Sequence, residues 1–280
     1  MLILNGLPVV KERFPNGELR LPTGWIHTKP NNHMILRYED DSDILSLIFI
    51  KHHMEHIREK CSLTIEYMPY SRMDRDGGAY AFTLQCLCDL INRMDFESVE
   101  VFEPHSDVTT ALLHRCTAKY LAPNLLRHVI KRFQDILPSK THRIAILLPD
   151  AGAMKRYASS LPEFPNVWEG VKDRDFKTGR IKSMRIACDI APAPTIAFIV
   201  DDLCCKGGTF LLAAEQLRKL GATQIYLVVP HCERSISQGG IMTSDLINKV
   251  FTLPILIAKD DPIINASNGK IQVVEDFLYA

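Results

Sequence analysis

The segment TIAFIVDDLCCKGGTFLLAAEQL, residues 195–217, decides the fold of this 280-residue chain. It begins with a run of apolar and β-branched residues, continues with Asp201 and Asp202, passes through two glycines and ends in a stretch with helical apolar spacing. Strand, glycine-containing loop and helix in this order direct backbone N–H groups and the positive end of the helix towards a phosphate. The segment therefore predicts a βα unit with an anion site at the carboxyl end of its strand.

Two groups of residues in this segment are candidates for binding a sugar phosphate. The loop that would wrap the phosphate comprises Cys205, Lys206, Gly207, Gly208 and Thr209. Asp201 and Asp202 supply acceptors suited to the vicinal hydroxyls of a ribose. Glycines after a strand are common, so the same pattern also fits an ordinary βα turn whose acids cap the helix.

The rest of the chain repeats this rhythm of short apolar runs and amphipathic stretches. The candidate strands are 1–4, 33–37, 63–68, 98–102, 143–148, 195–200 and 224–229. The candidate helices between them are 41–60, 83–94 and 208–220. Alternation of strands and helices along a chain is typical of parallel sheets with helical crossovers, so we expect an α/β protein.

The middle of the chain contains a candidate domain boundary. Residues 133–142 are polar and include Pro138, which interrupts the helical pattern, so we expect one domain over 1–138 and a second over 139–280. Residues 170–183, GVKDRDFKTGRIKS, are rich in charge and have no apolar period. We therefore expect a solvated, mobile loop there.

Composition and charge exclude several classes of protein. Hydrophobic residues make up 46% of the chain and charged residues 24%, which is typical of a globular protein and not of a disordered one. The 33 Lys and Arg balance the 33 Asp and Glu, so no bulk field favours nucleic acid or an anionic membrane as a partner. The longest apolar runs are far shorter than the ~20 residues of a transmembrane helix.

The N-terminal residues and the cysteines indicate the compartment. The sequence MLILNGLPVV lacks the basic region and the cleavage site of a secretory signal, so we expect a cytoplasmic protein. The eight cysteines are scattered and include no C-x-x-C pair. They are therefore expected to be reduced thiols and not a disulfide framework or a zinc site.

One alternative metal site needs consideration. Residues 52–56, HHMEH, match the H-x-x-E-H pattern of inverted zincins, and His52 and His56 would share one face of a helix. A peptidase would need a third ligand downstream, and the sequence does not identify one. Polar histidines on an amphipathic helix are also common, which weighs against a peptidase.

Six segments, in order, resemble the ribose-phosphate pyrophosphokinases, also called phosphoribosyl pyrophosphate synthetases. Residues 201–209 resemble the phosphoribosyl pyrophosphate loop of this family. The other segments are RFPNGEL at 13–19, YSRMDR at 70–75, EPHS at 103–106, LPDAGAMKR at 148–156 and VKDRD at 171–175. The resemblance covers roughly residues 9–235. It implies two tandem type I phosphoribosyltransferase-like domains, each with a mainly parallel sheet flanked by helices.

The resemblance implies an activity and a role for each matched residue. The family transfers the β,γ-diphosphate of ATP to the 1-hydroxyl of ribose 5-phosphate, with Mg²⁺, and releases AMP. By resemblance, ATP would contact Arg72, Met73, Arg75, Phe14, Asn16 and Glu18, while His105 and Asp150 would hold Mg²⁺. Lys172 and Arg174 would be catalytic. The family's segment at 13–19 reaches the adenine from a neighbouring subunit, which implies a homo-oligomer, a dimer or a hexamer.

The residues themselves support these roles but also leave simpler alternatives open. His105 and Asp150 follow apolar strands, and open α/β sheets bind ligands at the carboxyl ends of their strands. A histidine and a carboxylate, completed by phosphate oxygens and water, can hold Mg²⁺. Taken alone, the two residues also fit a loop histidine and a helix cap. Likewise, the arginines at 72 and 75 could be solvated. Residues 13–19 could form an ordinary turn, and residues 170–183 could form a charged surface loop.

The sequence departs from the family pattern at four of these positions. The family's Gln is Met73, its Asp is Asn16, its loop acid is Cys205 and a loop hydroxyl is Lys206. The last two changes make the charge of the loop more positive by roughly two units, which suggests an acceptor with a second phosphate, such as ADP-ribose. The losses also permit a non-catalytic, synthetase-associated regulatory subunit. A true phosphoribosyltransferase is a further alternative, in which the matched ATP segments would have no use.

Overall fold

The computed structural model describes residues 1–134, 144–174, 181–188, 196–275 and 277. These residues form two compact units, Met1–Tyr120 and Leu121–Ala280. The units divide ahead of the expected boundary at Pro138, a residue that itself lies outside the described ranges.

The first unit is built around one mainly parallel sheet. Its strands are β1 (Leu2–Leu4), β2 (Leu7–Pro8), β3 (Glu12–Arg13), β4 (Leu19–Arg20), β5 (Asn32–Leu36), β6 (Cys61–Ile65), β7 (Val99–Phe102) and β8 (Cys116–Lys119). Its helices are α1 (Asp41–His56), α2 (Thr83–Arg93) and α3 (Asp107–Leu112). The sheet has the order β2-β1-β5-β6-β7-β8, with β5 to β8 parallel and β1 antiparallel to both neighbours. Strands β3 and β4 form a separate antiparallel hairpin.

Helix α1 shows how local sequence sets the ends of an element in this unit. Asp40 caps its N-terminus by accepting a hydrogen bond from the Ser42 N–H at 2.8 Å. The helix ends at His56, earlier than the expected residue 60, because Arg58 takes a left-handed conformation with φ of 60°. Side chains at helical spacing bury one face of α1 in the core of the unit: Ile44, Leu47, Ile50 and Met54.

The second unit is built around a larger sheet of the same type. Its strands are β9 (Ile144–Leu148), β10 (Val167–Arg174), β11 (Ile181–Ala187), β12 (Ile196–Val200), β13 (Leu203–Cys204), β14 (Gln224–Val228), β15 (His231–Cys232), β16 (Lys249–Thr252) and β17 (Ile271–Val273). Its α-helices are α4 (Ala122–Gln134), α5 (Ala151–Tyr157), α6 (Gly208–Lys219) and α7 (Pro262–Ala266). The sheet order is β11-β10-β9-β12-β14-β16-β17, all parallel except β11 against β10. This confirms the expected α/β class.

The central strand β12 explains why the segment 195–217 decides the fold. All five of its residues are buried, since the strand lies between β9 and β14 with both faces covered. A continuous apolar run is the pattern that such a position requires. The same requirement accounts for β9, where four of the five residues are buried.

The segment 170–183 is not simply the solvated loop that its charges predict. Strand β10 continues to Arg174, and β11 pairs with it antiparallel at the edge of the sheet. In β10, next to the edge strand β11, Trp168 and Gly170 are buried while the residues beside them are partly exposed, so a strand forms without an apolar run. Residues 175–180 of this segment lie outside the described part of the chain.

Two findings bear on the remaining sequence expectations. All eight cysteines are free thiols. Within the described ranges, no helix combines the length and the apolar character needed to span a membrane.

Gly170 is the point at which β10 passes close to the backbone that follows β9. A Cβ atom at this position would lie 2.7 Å from the carbonyl oxygen and 2.9 Å from the carbonyl carbon of Pro149. Both distances are too short for a real contact, and backbone cannot move aside as the end of a flexible side chain can. Glycine is therefore required for this approach.

We predict that Gly170→Ala lowers the free energy of unfolding by about 1–3 kcal/mol, because the methyl group forces β10 away from Pro149. Gly24→Ala is the control, since a Cβ at Gly24 meets nothing within 4 Å. Urea unfolding of the two variants measures the difference. Equal unfolding midpoints would contradict the required close approach.

Candidate active site

Asp201 and Asp202 lie directly after central strand β12, at the carboxyl end where the sequence places them. Both residues are buried, with 8% and 4% of their surface exposed. The backbone holds them firmly: the Asp201 N–H donates to the Val228 carbonyl at 3.2 Å, and the Asp202 carbonyl accepts from the His231 N–H at 3.1 Å. The Asp202 N–H also donates to Asp201 Oδ1 at 3.0 Å.

Arg156 bridges this carboxylate pair, although the sequence analysis assigns it no role. Its Nη2 lies 3.2 Å from Asp201 Oδ1 and 3.1 Å from Asp202 Oδ1. Only 10% of the arginine side chain is exposed. The signal in the sequence was its place as the last residue of the matched segment LPDAGAMKR, six positions after Asp150.

The electrostatics of the pair follow from burial and from the proximity of two like charges. Burial and the neighbouring charge of Asp202 raise the pKa of Asp201 well above its usual range, and Arg156 opposes this rise. Burial alone would lower the pKa of Arg156, but Asp202, Tyr157 and Asp201 together outweigh it and the net pKa is raised. The guanidinium is therefore permanently charged beside the carboxylates.

The candidate phosphate loop, residues 205–209, runs from the end of β13 into the first turn of α6. Gly207 precedes the helix with φ of 77°, the left-handed region that favours glycine. A Cβ on Gly207 would collide with the side chain of Ile241, and a Cβ on Gly239 would collide with the carbonyl of Lys206. The loop is therefore fixed by close packing against residues 239–241.

The N-terminus of α6 is suited to an anion. Gly207 provides no side-chain cap for this helix, and a Cβ at Gly208 would meet nothing within 4 Å. The N–H groups of the first turn carry the positive end of the helix dipole. Lys206 is exposed and Cys205 half-buried at the same loop. This geometry fits the predicted phosphate site.

Asp150 and Lys172 form an ion pair in the same unit. Lys172 Nζ donates to Asp150 Oδ2 at 2.5 Å, while Asp150 Oδ1 accepts from the Ala153 N–H at 3.0 Å and caps α5. Burial raises the pKa of Asp150, but the hydrogen bonds from Lys172 and from the Ala153 N–H outweigh it, so the net pKa is lowered. Asp150 is thus both the helix cap considered as an alternative and an ionised partner of Lys172.

Arg174 is the last residue of β10, two positions after Lys172. Its side chain lies outside the described part of the structure, so its catalytic role stays a prediction.

In the first unit, Phe14, Asn16 and Glu18 lie on the hairpin of β3 and β4. Asn16 Nδ2 donates to Glu18 Oε2 at 2.8 Å, and the Glu18 N–H donates to Asn16 Oδ1 at 3.2 Å. Gly17 has φ of 91°. The Phe14 side chain is 46% exposed, with the guanidinium of Arg20 5.3 Å from its ring centroid. The segment forms the turn that was the simpler alternative for it, and all three candidate ATP contacts lie on the same hairpin.

Residues 70–75 follow β6 at the carboxyl edge of the same sheet. Tyr70 has φ of 61°, and its carbonyl accepts from the Met73 N–H at 2.9 Å. Arg72 and Arg75 are exposed, and Met73 is half-buried. His105 follows the neighbouring strand β7 and is half-buried. Because β6 and β7 are parallel neighbours, the fold brings the 70–75 segment and His105 to one edge of the sheet.

The candidate metal ligands allow a limited test of fit. Among the described residues, no group of three or more His, Cys, Asp or Glu is arranged to hold a metal. Mg²⁺ commonly uses one or two protein carboxylates and completes its shell with substrate phosphates and water. The ionised Asp150 fits that limited demand.

Comparisons with known proteins agree with this geometry. No protein-family model matches the chain. The ribose-phosphate pyrophosphokinase of Thermococcus kodakarensis is 28% identical over 232 residues, which cover 80% of this chain and 78% of that protein. The ribose-phosphate pyrophosphokinase of Saccharolobus solfataricus is 24% identical over 241 residues, covering 80% and 77% of the two chains.

A solved structure shows the same architecture. The phosphoribosylpyrophosphate synthetase of Mycobacterium smegmatis superposes with a TM-score of 0.71 over 96% of this chain and 86% of its own, at 15% identity. Its fold confirms the expected pair of phosphoribosyltransferase-like domains. In sequence and in fold the chain is therefore related to the ribose-phosphate pyrophosphokinases, as its six motifs predict.

Proposed function

We propose that this protein transfers the β,γ-diphosphate of ATP to the 1-hydroxyl of a ribose 5-phosphate moiety and releases AMP. The observation that carries the proposal is the ion pair of Lys172 with Asp150, which belongs to the same unit as Asp201, Asp202 and the 205–209 loop. One unit thus contains Lys172 as a cation for a reacting phosphate, Asp150 as a candidate metal ligand and a candidate binding site for the sugar. The curated relatives that carry this activity in their names support it.

The acceptor would be held from two sides. The first-turn amides of α6 and the 205–209 loop would bind the 5-phosphate. Asp201 and Asp202 would accept hydrogen bonds from the 2- and 3-hydroxyls of the ribose. Two attachments fix both the position and the rotation of the ring, so that the 1-hydroxyl is held in one orientation.

The transfer itself asks the protein mainly for position and charge. The oxygen of the 1-hydroxyl forms a bond to the β-phosphorus of ATP, and the bond from that phosphorus to the α,β-bridging oxygen breaks. The bridging oxygen leaves with AMP, and the hydroxyl proton is released to solvent. The Lys172 ammonium, and in our proposal the Arg174 guanidinium, would neutralise negative charge that moves between the phosphates.

Magnesium would be held by Asp150, with substrate phosphates and water completing its shell. The role of His105 as a ligand stays a prediction from the family resemblance. When bound, Mg²⁺ neutralises phosphate charge and helps to align the reacting groups. Asp150 is held ready as a carboxylate by its lowered pKa. The hydrogen bond from the Ala153 N–H fixes the orientation of Asp150 Oδ1, while Oδ2 accepts from the Lys172 ammonium.

ATP would bind in the first unit, where the fold groups its candidate contacts. The exposed Arg72 and Arg75 provide cations for phosphate, and Met73 provides an apolar surface for adenine. Phe14 is exposed on the β3–β4 hairpin, where its ring could contact the adenine of ATP bound to a second copy of the chain. We therefore propose a homo-oligomer acting in the cytoplasm.

A regulatory, non-catalytic subunit is the second candidate, favoured by Cys205, Met73 and Asn16 in place of family residues. The intact Lys172–Asp150 ion pair argues against it. Purified protein incubated with ATP, ribose 5-phosphate and MgCl₂ distinguishes the two. AMP release that requires both the acceptor and MgCl₂ supports the enzyme. Absence of AMP with every ribosyl acceptor tested would support the regulatory subunit.

We predict that Lys172→Met lowers kcat by about 10²- to 10³-fold, because the cation nearest the candidate metal ligand is lost. Lys219→Met is the control, since Lys219 is exposed at the opposite end of α6 from the phosphate loop. Initial rates of AMP release and thermal melting measure both variants. An unchanged kcat in Lys172→Met would remove the catalytic assignment.

The acceptor also deserves a direct comparison between ribose 5-phosphate and ADP-ribose, because exposed Lys206 can reach a second phosphate. We predict that the double variant Cys205→Asp/Lys206→Thr lowers the kcat/KM ratio of ADP-ribose to ribose 5-phosphate by about tenfold, the loss of one charged hydrogen bond. Product mass spectrometry with each acceptor gives the ratio. A ratio unchanged by the double variant would show that these two residues do not select the acceptor.

A further inference from the structure

Arg156 uses a single nitrogen to hold two carboxylates. Its Nη2 lies 3.2 Å from Oδ1 of Asp201 and 3.1 Å from Oδ1 of Asp202. A donor shared in this way limits the separation of the two acceptor oxygens, because both must remain within hydrogen-bond range of one point. The mutual orientation of the two aspartates therefore depends on Arg156.

The side chain of Arg156 reaches this position by lying back along its own helix. A Cβ at Gly152 would lie 3.5 Å from Arg156 Nη1 and 3.2 Å from Asp150 Oδ1, so the guanidinium passes over the glycine near the start of α5. The guanidinium carbon is also 5.4 Å from the centroid of the Tyr157 ring. Long side chains on helices commonly point towards the N-terminus in this way. Position 152 therefore suits a residue without a side chain.

Without the guanidinium the two buried acids would repel each other. The charge of Asp202 already raises the pKa of the buried Asp201, and Arg156 is the charge that opposes this rise. A neutral carboxyl group can donate a hydrogen bond, whereas a carboxylate only accepts. Loss of Arg156 would thus raise the pKa of Asp201 further and favour its neutral, hydrogen-bond-donating form.

A direct contact between Arg156 and a substrate phosphate fits the geometry less well. Its side chain is only 10% exposed, and its Nη2 is already engaged by both aspartates. Lys206 and the first turn of α6 offer a phosphate exposed donors instead. Arg156 therefore acts on the acceptor through the aspartates.

We propose that Arg156 is a positioning residue for the sugar acceptor: it holds Asp201 and Asp202 so that the pair meets two adjacent hydroxyls of the pentose. This inference rests on the proposed function, and it adds a residue that governs acceptor binding specifically. ATP binding and the chemical step depend on other residues.

Steady-state kinetics of AMP release from the full chain test the inference. In Arg156→Gln the positive charge is lost, whereas Arg156→Lys keeps the charge on a single flexible ammonium that matches the bridging geometry poorly. We expect Arg156→Gln to raise the KM for ribose 5-phosphate at least about tenfold, with the KM for ATP and kcat changed less than about threefold. Arg156→Lys should show an intermediate KM for ribose 5-phosphate, a partial rescue.

Arg218→Gln is the matched control in the same unit. Arg218 Nη1 donates to the Ala222 carbonyl at 3.0 Å, so its loss removes a structural arginine that has no contact with the aspartates. We expect this variant to melt at a lower temperature with an unchanged KM for ribose 5-phosphate. If Arg156→Gln behaves in the same way, Arg156 is structural only and the inference is overturned.

Two other outcomes would also overturn it. An equal rise in the KM values for ATP and for ribose 5-phosphate would show that Arg156 does not act on the acceptor alone. A fall in kcat with both KM values unchanged would make it part of the chemical step. If Arg156→Gln does not fold, Arg156→Lys is compared with wild type instead. A rise in its KM for ribose 5-phosphate that exceeds the rise in its KM for ATP supports the inference, and equal changes overturn it. Failure of the proposed function itself is distinct, since wild-type protein would then release no AMP.

Discussion

Two neighbouring carboxylates can remain buried only where a cation compensates their charge. In the second unit this cation is the Arg156 guanidinium, with Asp201 and Asp202 against it. Arg156 lies on the short helix α5, which is capped by Asp150, and Asp150 also pairs with Lys172. The carboxylate pair proposed to bind the sugar and the ion pair proposed for catalysis therefore both depend on α5, through Arg156 and through the capping residue Asp150.

Much of this arrangement could be predicted from the sequence, because it depends on local patterns. Buried parallel strands require continuous apolar runs, and the residue after such a run lies at the ligand-binding edge of the sheet. That reasoning placed Asp201, Asp202, Asp150 and His105 correctly after their strands. The phosphate loop is predicted from the order strand, glycine-containing loop and helix. In the structure Gly207 takes the left-handed conformation that favours glycine.

The rest depends on contacts between distant parts of the chain. Arg156 meets Asp201 across 45 positions, and no periodicity in the sequence records such a pair. Residues 170–183 are interpreted as a charged loop because the polar residues in the second half of β10 conceal its strand pattern. Its position is set by Gly170, which allows the backbone to approach Pro149 and thereby brings Lys172 to Asp150. Packing of this kind is visible only once the sheet is assembled.

The length of α5 has an evolutionary consequence. The helix contains seven residues, with Asp150 immediately before it and Arg156 near its end. Each residue of an α-helix turns the chain by about 100°, so inserting or deleting one residue between these positions would swing the guanidinium to another face. Among diverging relatives, substitutions on the outer surface of α5 should accumulate freely, whereas changes in its length should be selected against.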